Sequence, residues 1–155
     1  MTKPMTLVRR HIAATPDAVY AAFMEPAALV QWLPPGEMTG RLHAFDGRVG
    51  GGYRMSLDYP AQAGAARGKT TAHEDLVSVR FTELRPPHHI SEAVSFASAD
   101  PALQGEMLIE IDIAPASCGA EVTFLCRDLP PGLKPEDNEQ GCHQSLDQLA
   151  AYLAR

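Results

Sequence analysis

Glu83 and Glu92 are the residues of this chain whose type and spacing most readily carry chemistry. Val77, Val79, Phe81 and Glu83 alternate onto one face of a strand pattern, and Ile90, Glu92, Val94 and Phe96 onto one face of the next. A symmetric turn at Pro86-Pro87-His88-His89 would set Glu83 opposite Glu92, Phe81 opposite Val94 and Val79 opposite Phe96. Two carboxylates face to face are destabilising unless a cation, a shared proton or a bound group comes between them. In one arrangement both acids sit at the rim of the sheet, solvated or paired with Arg85, His88 or His89. In the other, an acid lies in an apolar interior, where burial raises its pKa and equips it as a general acid, a general base or a polar anchor for a ligand.

The other chemistry-bearing residues form weaker patterns. His11, His43, His73, His88, His89 and His143 contain no HxH, HExxH or Cys-His spacing, so no metal is expected. Cys118, Cys126 and Cys142 are an odd set without a CxxC pair, which argues against a disulfide framework, and Cys142 reads as a small buried hydrophobe. Gly50-Gly51-Gly52 precedes a strand, whereas phosphate cradles lead into a helix, so it reads as a tight turn or sheet bend. Arg10 shares a face with Val8 and Ile12, as a structural cation or an inward partner for one of the acids. Trp32 is read as core or as the border of a cavity mouth, and His73-Glu74-Asp75 as a solvated strand start. No nucleotide, flavin or metal motif calls for a cofactor.

Thr6 to Ile12 reads as a strand, and Thr15-Pro16-Asp17 supplies a helix start with an N-cap and a proline in the first turn. The helix carrying Val19, Tyr20, Phe23 and Met24 breaks at Pro26, and Ala27 to Leu33 resumes it as far as Pro34-Pro35. From Glu37 to Arg127 the period is two, as in an antiparallel meander. Tyr53, Met55, Leu57 and Tyr59 share one face, as do Met107, Ile109, Ile111 and Ile113, and Val122, Phe124 and Cys126. Ala61 to Thr71, small and Gly-rich, reads as a hairpin loop. Pro135 opens a last helix whose stripe is Cys142, Leu146, Leu149 and Leu153.

The order of strand, broken helix, six strands and long helix implies an α+β layer with the last helix on the sheet's apolar face. At 155 residues one domain over 1–155 is expected. Apolar residues at 45% and charged residues at 21% suggest neither disorder nor a membrane class. The longest uncharged stretch, Pro26 to Gly36, is too short and Pro-broken to span a bilayer, and Met1-Thr2-Lys3-Pro4 leads into a strand without an apolar leader. A cytoplasmic location follows as the expectation. With 13 basic against 19 acidic residues, a formal charge of −6 and no basic run, nucleic acid is not an expected partner.

Several marks in order resemble the family named for the activator of the 90-kDa heat-shock protein's ATPase, within the START-like or SRPBCC superfamily. They are Arg10 and Ile12 before Ala14-Thr15-Pro16, Val19 with Ala22, Pro26, Trp32 with Pro34, Arg48-Val49-Gly50-Gly51, Glu83-Leu84 before Pro86-Pro87, and the ending Gln144-Ser145-Leu146-Asp147-Gln148-Leu149-Ala150-Ala151-Tyr152-Leu153. The resemblance implies a helix-grip fold, with a seven-stranded sheet around a C-terminal helix and an internal cavity that relatives use for lipids, polyketides or hormones. It also implies that Val94 and Cys142 stand where the family commonly has Trp, which would either leave space lined by Val94, Cys142, Met55, Met107 and Phe124 or be filled by repacking of neighbours.

The function expected from these readings is binding of a small hydrophobic molecule. Trp32, Tyr53, Met55, Phe81, Val94, Phe96, Met107, Ile109, Phe124, Cys142 and Leu146 would supply the apolar walls, with Glu83 and Glu92 supplying polarity. The alternatives are a cyclase, dehydratase or hydrolase using the two carboxylates as catalytic groups, and a co-chaperone-like or homodimeric interaction module. Chaperone activation itself is not expected, because the co-chaperones that name the family carry an additional N-terminal domain with an Asn- and Trp-rich motif.

Overall fold

The computed structural model describes residues 4–60, 69–71 and 73–154. Seven strands form one antiparallel sheet in the order β1-β7-β6-β5-β4-β3-β2. They are β1 (Thr6–Ile12), β2 (Thr39–Asp46), β3 (Gly52–Asp58), β4 (Glu74–Arg85), β5 (His89–Phe96), β6 (Met107–Ala116) and β7 (Gly119–Arg127). Helices α1 (Pro16–Met24) and α2 (Pro26–Trp32) carry the chain from one edge strand to the other, and α3 (Pro135–Leu153) follows β7. The α+β helix-grip architecture expected from the sequence is therefore present. A 3-10 turn at Pro101–Leu103, capped by the Asp100 side chain, is an addition to it.

Local chemistry explains the breaks. The Thr15 hydroxyl accepts from the Ala18 N–H at 3.2 Å, satisfying a donor that the first turn of α1 leaves unpaired. Pro26 cannot continue α1, and it becomes the first residue of α2. Gly52 has φ +152°, and a Cβ there would lie 1.7 Å from the Val79 carbonyl oxygen, so the turn into β3 admits only glycine.

Trp32, fully buried, donates its indole N–H to the Ala22 carbonyl at 3.0 Å and meets Phe23 edge-on with centroids 4.8 Å apart. It is thus a core residue, as the first of its two readings has it. Phe23 in turn reaches Phe124 of β7, which ties the short helices to the concave face of the sheet.

Helix α3 buries Leu146 and Leu149, lies over β1, and is pinned to the end of α2 by side chains. The Ser145 hydroxyl donates to the Leu33 carbonyl at 2.6 Å. The Gln148 amide donates to the carbonyls of Trp32 and Pro34, both at 2.7 Å, while its oxygen accepts from the Gly36 N–H at 2.8 Å. These bonds satisfy carbonyls that a helix end leaves without partners. Arg10, by contrast, pairs with Asp147 of α3 at 2.8 Å in an exposed position and reaches neither Glu83 nor Glu92.

Gln148→Leu should lower unfolding stability by about 2 kcal/mol, since it strands partly buried carbonyls. Arg10→Ala should cost less than about 1 kcal/mol, since an exposed ion pair contributes little. Urea denaturation of the two variants beside the parent protein measures both, and equal losses would contradict the assigned role of Gln148.

Candidate functional site

The concave face of the sheet and the first half of α3 bound a cavity of about 710 Å³. Its floor is built by alternation: Tyr53 and Leu57 from β3, Val77 and Val79 from β4, Glu92, Val94 and Phe96 from β5, Met107, Ile109 and Ile111 from β6, and Phe124 from β7. Gln140, Gly141, Cys142 and Gln144 of α3 form the opposite wall, and Pro35 to Met38 form part of the rim. Gly141 has open space where a Cβ would stand, and Val94 and Cys142, both small, line the cavity. Of the apolar residues expected at the site, Tyr53, Val94, Phe96, Met107, Ile109, Phe124 and Cys142 line it. Trp32, Met55, Phe81 and Leu146 are buried but do not.

The two glutamates part company. Glu92 is 7% exposed and faces the cavity, whereas Glu83 is half exposed on the opposite face of the sheet. The symmetric register that set them opposite each other is not formed. Val79 pairs with Val94 and Val77 with Phe96, but Phe81 pairs with Glu92 and Glu83 with Ser91, with a bulge between Phe81 and Glu83. The extra residue turns Glu83 outward and Leu84 back towards the core, where it pairs with buried Ile90. The bulge sits beside the glycine turn, whose Gly50 N–H and Gly51 carbonyl bond the backbone of Phe81, both at 2.9 Å.

Outside, Glu83 pairs with Arg85 at 3.1 Å and lies 3.5 Å from the buried ring of His89. His89 also meets the Asp112 carboxylate at 2.6 Å and the Ser91 hydroxyl at 2.7 Å. This has the outline of a nucleophilic triad, but β5 is paired along both edges. Its backbone amides are committed to the ladders, so β5 itself offers no pair of donors beside Ser91 for an oxyanion.

Burial pushes the Glu92 carboxyl up to about 8, with the nearby Cys126 sulfur adding to the effect. No hydrogen bond or ion pair reaches Glu92 among the described residues. Burial, with a further push from Glu92, raises the Tyr53 phenol well above its ordinary value. Cys126 lies two strands from Glu92 on the same face, through the pairs Glu92 with Ile109 and Ile109 with Cys126. Its sulfur is 3.9 Å from that of Cys142 on α3, and both are free thiols. That contact lowers the pKa of Cys126 and raises that of Cys142.

A second polar group at the site was not anticipated. Asp75, read as a solvated strand start, is 3% exposed. It accepts from the Lys69 amide at 2.6 Å, the Lys69 ammonium at 2.9 Å and the Tyr59 hydroxyl at 3.0 Å. Lys69 also lies 4.9 Å from the centre of the Phe96 ring. Asp75 was findable, because it continues the inward alternation of Phe81, Val79 and Val77. Lys69 had no such signal, since it closes the Gly-rich tract read as a hairpin loop, of which residues 61–68 lie outside the described residues. No cluster of three metal-ligating side chains occurs among the described residues, and no helix there is long and apolar enough to cross a membrane.

The family model described as activator of Hsp90 ATPase homolog 1-like protein matches residues 13–154. The chain belongs to this family. A solved member of similar structure, from Chromobacterium violaceum, is 34% identical, with 97% of each chain covered and a TM-score of 0.84. A Silicibacter pomeroyi structure that carries the family's name shares 22% identity, covers 97% of this chain and 98% of its own, and has a TM-score of 0.73. A Rhodobacter sphaeroides structure at 22% identity, covering 97% and 91%, has a TM-score of 0.76. No curated protein matches the chain.

These relatives thus share the fold, and in this chain the acid on the cavity wall links titration to stability. Glu92 binds its proton more tightly folded (pKa about 8) than as an ordinary carboxyl (4.5). Its ionisation therefore costs the folded state nothing below pH 4.5, and the cost grows up to pH 8 and is then constant. Glu92→Gln should accordingly gain stability relative to the parent as pH rises from 5 to 9, by on the order of 3–5 kcal/mol. Paired denaturation curves at the two pH values test this, and a pH-independent difference would contradict the assigned ionisation.

Proposed function

We propose that this protein binds a small hydrophobic molecule in the cavity between the sheet and α3, with Glu92 as its polar anchor. The observation that carries this reading is the unpaired Glu92 carboxyl in a wall otherwise built mainly from apolar side chains around about 710 Å³. Volumes of this size with a few convergent polar groups suit small-molecule ligands. A buried acid without a partner is costly, so an apolar wall would ordinarily exclude one. Membership of a family whose cavities generally take hydrophobic ligands supports the same reading.

Proton-transfer catalysis by a pair of carboxylates has less support, because Glu83 lies on the other side of the sheet from Glu92. A single acid with a pKa near neutrality can donate or accept a proton, but the titratable groups facing it, Tyr53 and Cys126, include no second carboxylate to complete the expected pair.

Filling the cavity separates binding from folding. Val94→Trp should abolish saturable thermal stabilisation by hydrophobic compounds, at no more than about 1–3 kcal/mol of stability, because the new ring occupies space that is already present. A thermal-shift screen of lipid-like and aromatic compounds on the parent and the variant measures both. Absence of any saturable shift in the parent protein would sink the proposal.

A further inference from the structure

We propose that the ligand of this cavity carries a positive charge: it is a hydrophobic amine whose ammonium group pairs with Glu92 while its apolar body lies against aromatic walls. The inference rests on the reading of the cavity as a ligand site and specifies the chemistry of that ligand.

Charge accounting inside the cavity leads to it. Among the described lining residues Lys69 is the only cation, and Asp75 already neutralises it at 2.9 Å. The remaining charged groups on the lining are all acidic: Glu92 on the floor, with Glu37 and Asp137 nearer the rim. The other titratable groups that face Glu92 are Tyr53 from β3, Cys126 from β7 and Cys142 from α3, and none of them supplies a positive charge. An anionic ligand would meet only acids at that point. A neutral ligand needing a hydrogen-bond donor would be served by the Tyr53 hydroxyl, without the cost of burying a carboxyl.

The walls fit the same ligand. Phe23, Tyr53, Phe124 and Phe96 all line the cavity. Ring faces attract cations in water-poor surroundings, so these rings favour a ligand that carries an ammonium group, and Tyr53 is the one that reaches Glu92. The mode already operates at this site, where the Lys69 ammonium rests over Phe96.

The pairing has a defined proton balance. With a carboxyl pKa of about 8, Glu92 is mostly neutral at pH 6.5, so binding an ammonium must release its proton. Affinity for an alkylamine should therefore rise with pH up to about 8 and level off until the amine itself loses its proton, near 10.4 for a lysine-like group. A neutral ligand accepting a hydrogen bond from the protonated carboxyl would show the opposite slope.

The test uses the full chain and three probes of equal chain length: n-octylamine, n-octanol and octanoate, titrated calorimetrically between pH 6.5 and 8.5. The expected result is octylamine tightest and octanoate weakest, with octylamine affinity rising about tenfold or more over that range. In Glu92→Gln the ratio of octylamine to octanol affinity should collapse to about one and the pH slope should vanish. Octanol binding as tightly as octylamine, or a falling slope for octylamine, would overturn the charge assignment while leaving the cavity as a ligand site. Failure of all three probes to bind would overturn both. The slope in the parent protein decides the matter even if Glu92→Gln does not fold.

Discussion

The seat of α3 governs what the rest of this molecule can be. A concave seven-stranded sheet with an apolar inner face must be covered, and the cover lies where Ser145 and Gln148 bond the carbonyls of Trp32, Leu33 and Pro34. Those bonds act on the second half of the helix, where Leu146 and Leu149 are fully buried. The first half, from Asn138 to Gln144, is carried over the sheet with small or polar residues facing inward. A cover tied to α2 at one end and faced with small or polar residues at the other leaves room underneath.

That space makes the environment of Glu92 possible. In a filled core its carboxyl would meet hydrocarbon on all sides, and in water it would be an ordinary acid. On the wall of a cavity it is desolvated enough to hold its proton to about 8, yet remains reachable by a molecule in the space. The Asp75 carboxylate a short way along the same sheet shows the contrast. It has three donors, one of them a cation, and is a satisfied structural group.

Most of the architecture was legible in the residues. Proline punctuation placed both breaks around α2, period-two alternation placed the inward faces of the strands, and the Cys142, Leu146, Leu149 stripe placed the inner side of α3. Glu92 was legible for the same reason, since it shares a parity with Ile90, Val94 and Phe96. Glu83 takes the rim arrangement, paired with Arg85 beside His89; the register that set it opposite Glu92 fails because parity does not survive a bulge, although Phe81 and Leu84, apolar and three apart, mark the break. Phe81, Met55 and Leu146 were rightly placed inside, but alternation distinguishes faces of a sheet and says nothing about whether the space beyond is filled. Lys69 was out of reach because its position depends on a tertiary contact with Asp75, with no periodic signal in its own segment.

Gln148 has one further consequence, and it concerns chemical ageing. Its amide nitrogen donates to two carbonyls while its oxygen accepts from Gly36, a set of bonds that only an amide in this orientation can make. Deamidation exchanges that nitrogen for oxygen and would set a carboxylate against the carbonyls of Trp32 and Pro34, turning two attractions into repulsions. The contact that holds α3 in place is thus also where slow hydrolysis of a single side chain would loosen the cover, leaving the sheet and its hydrocarbon core intact.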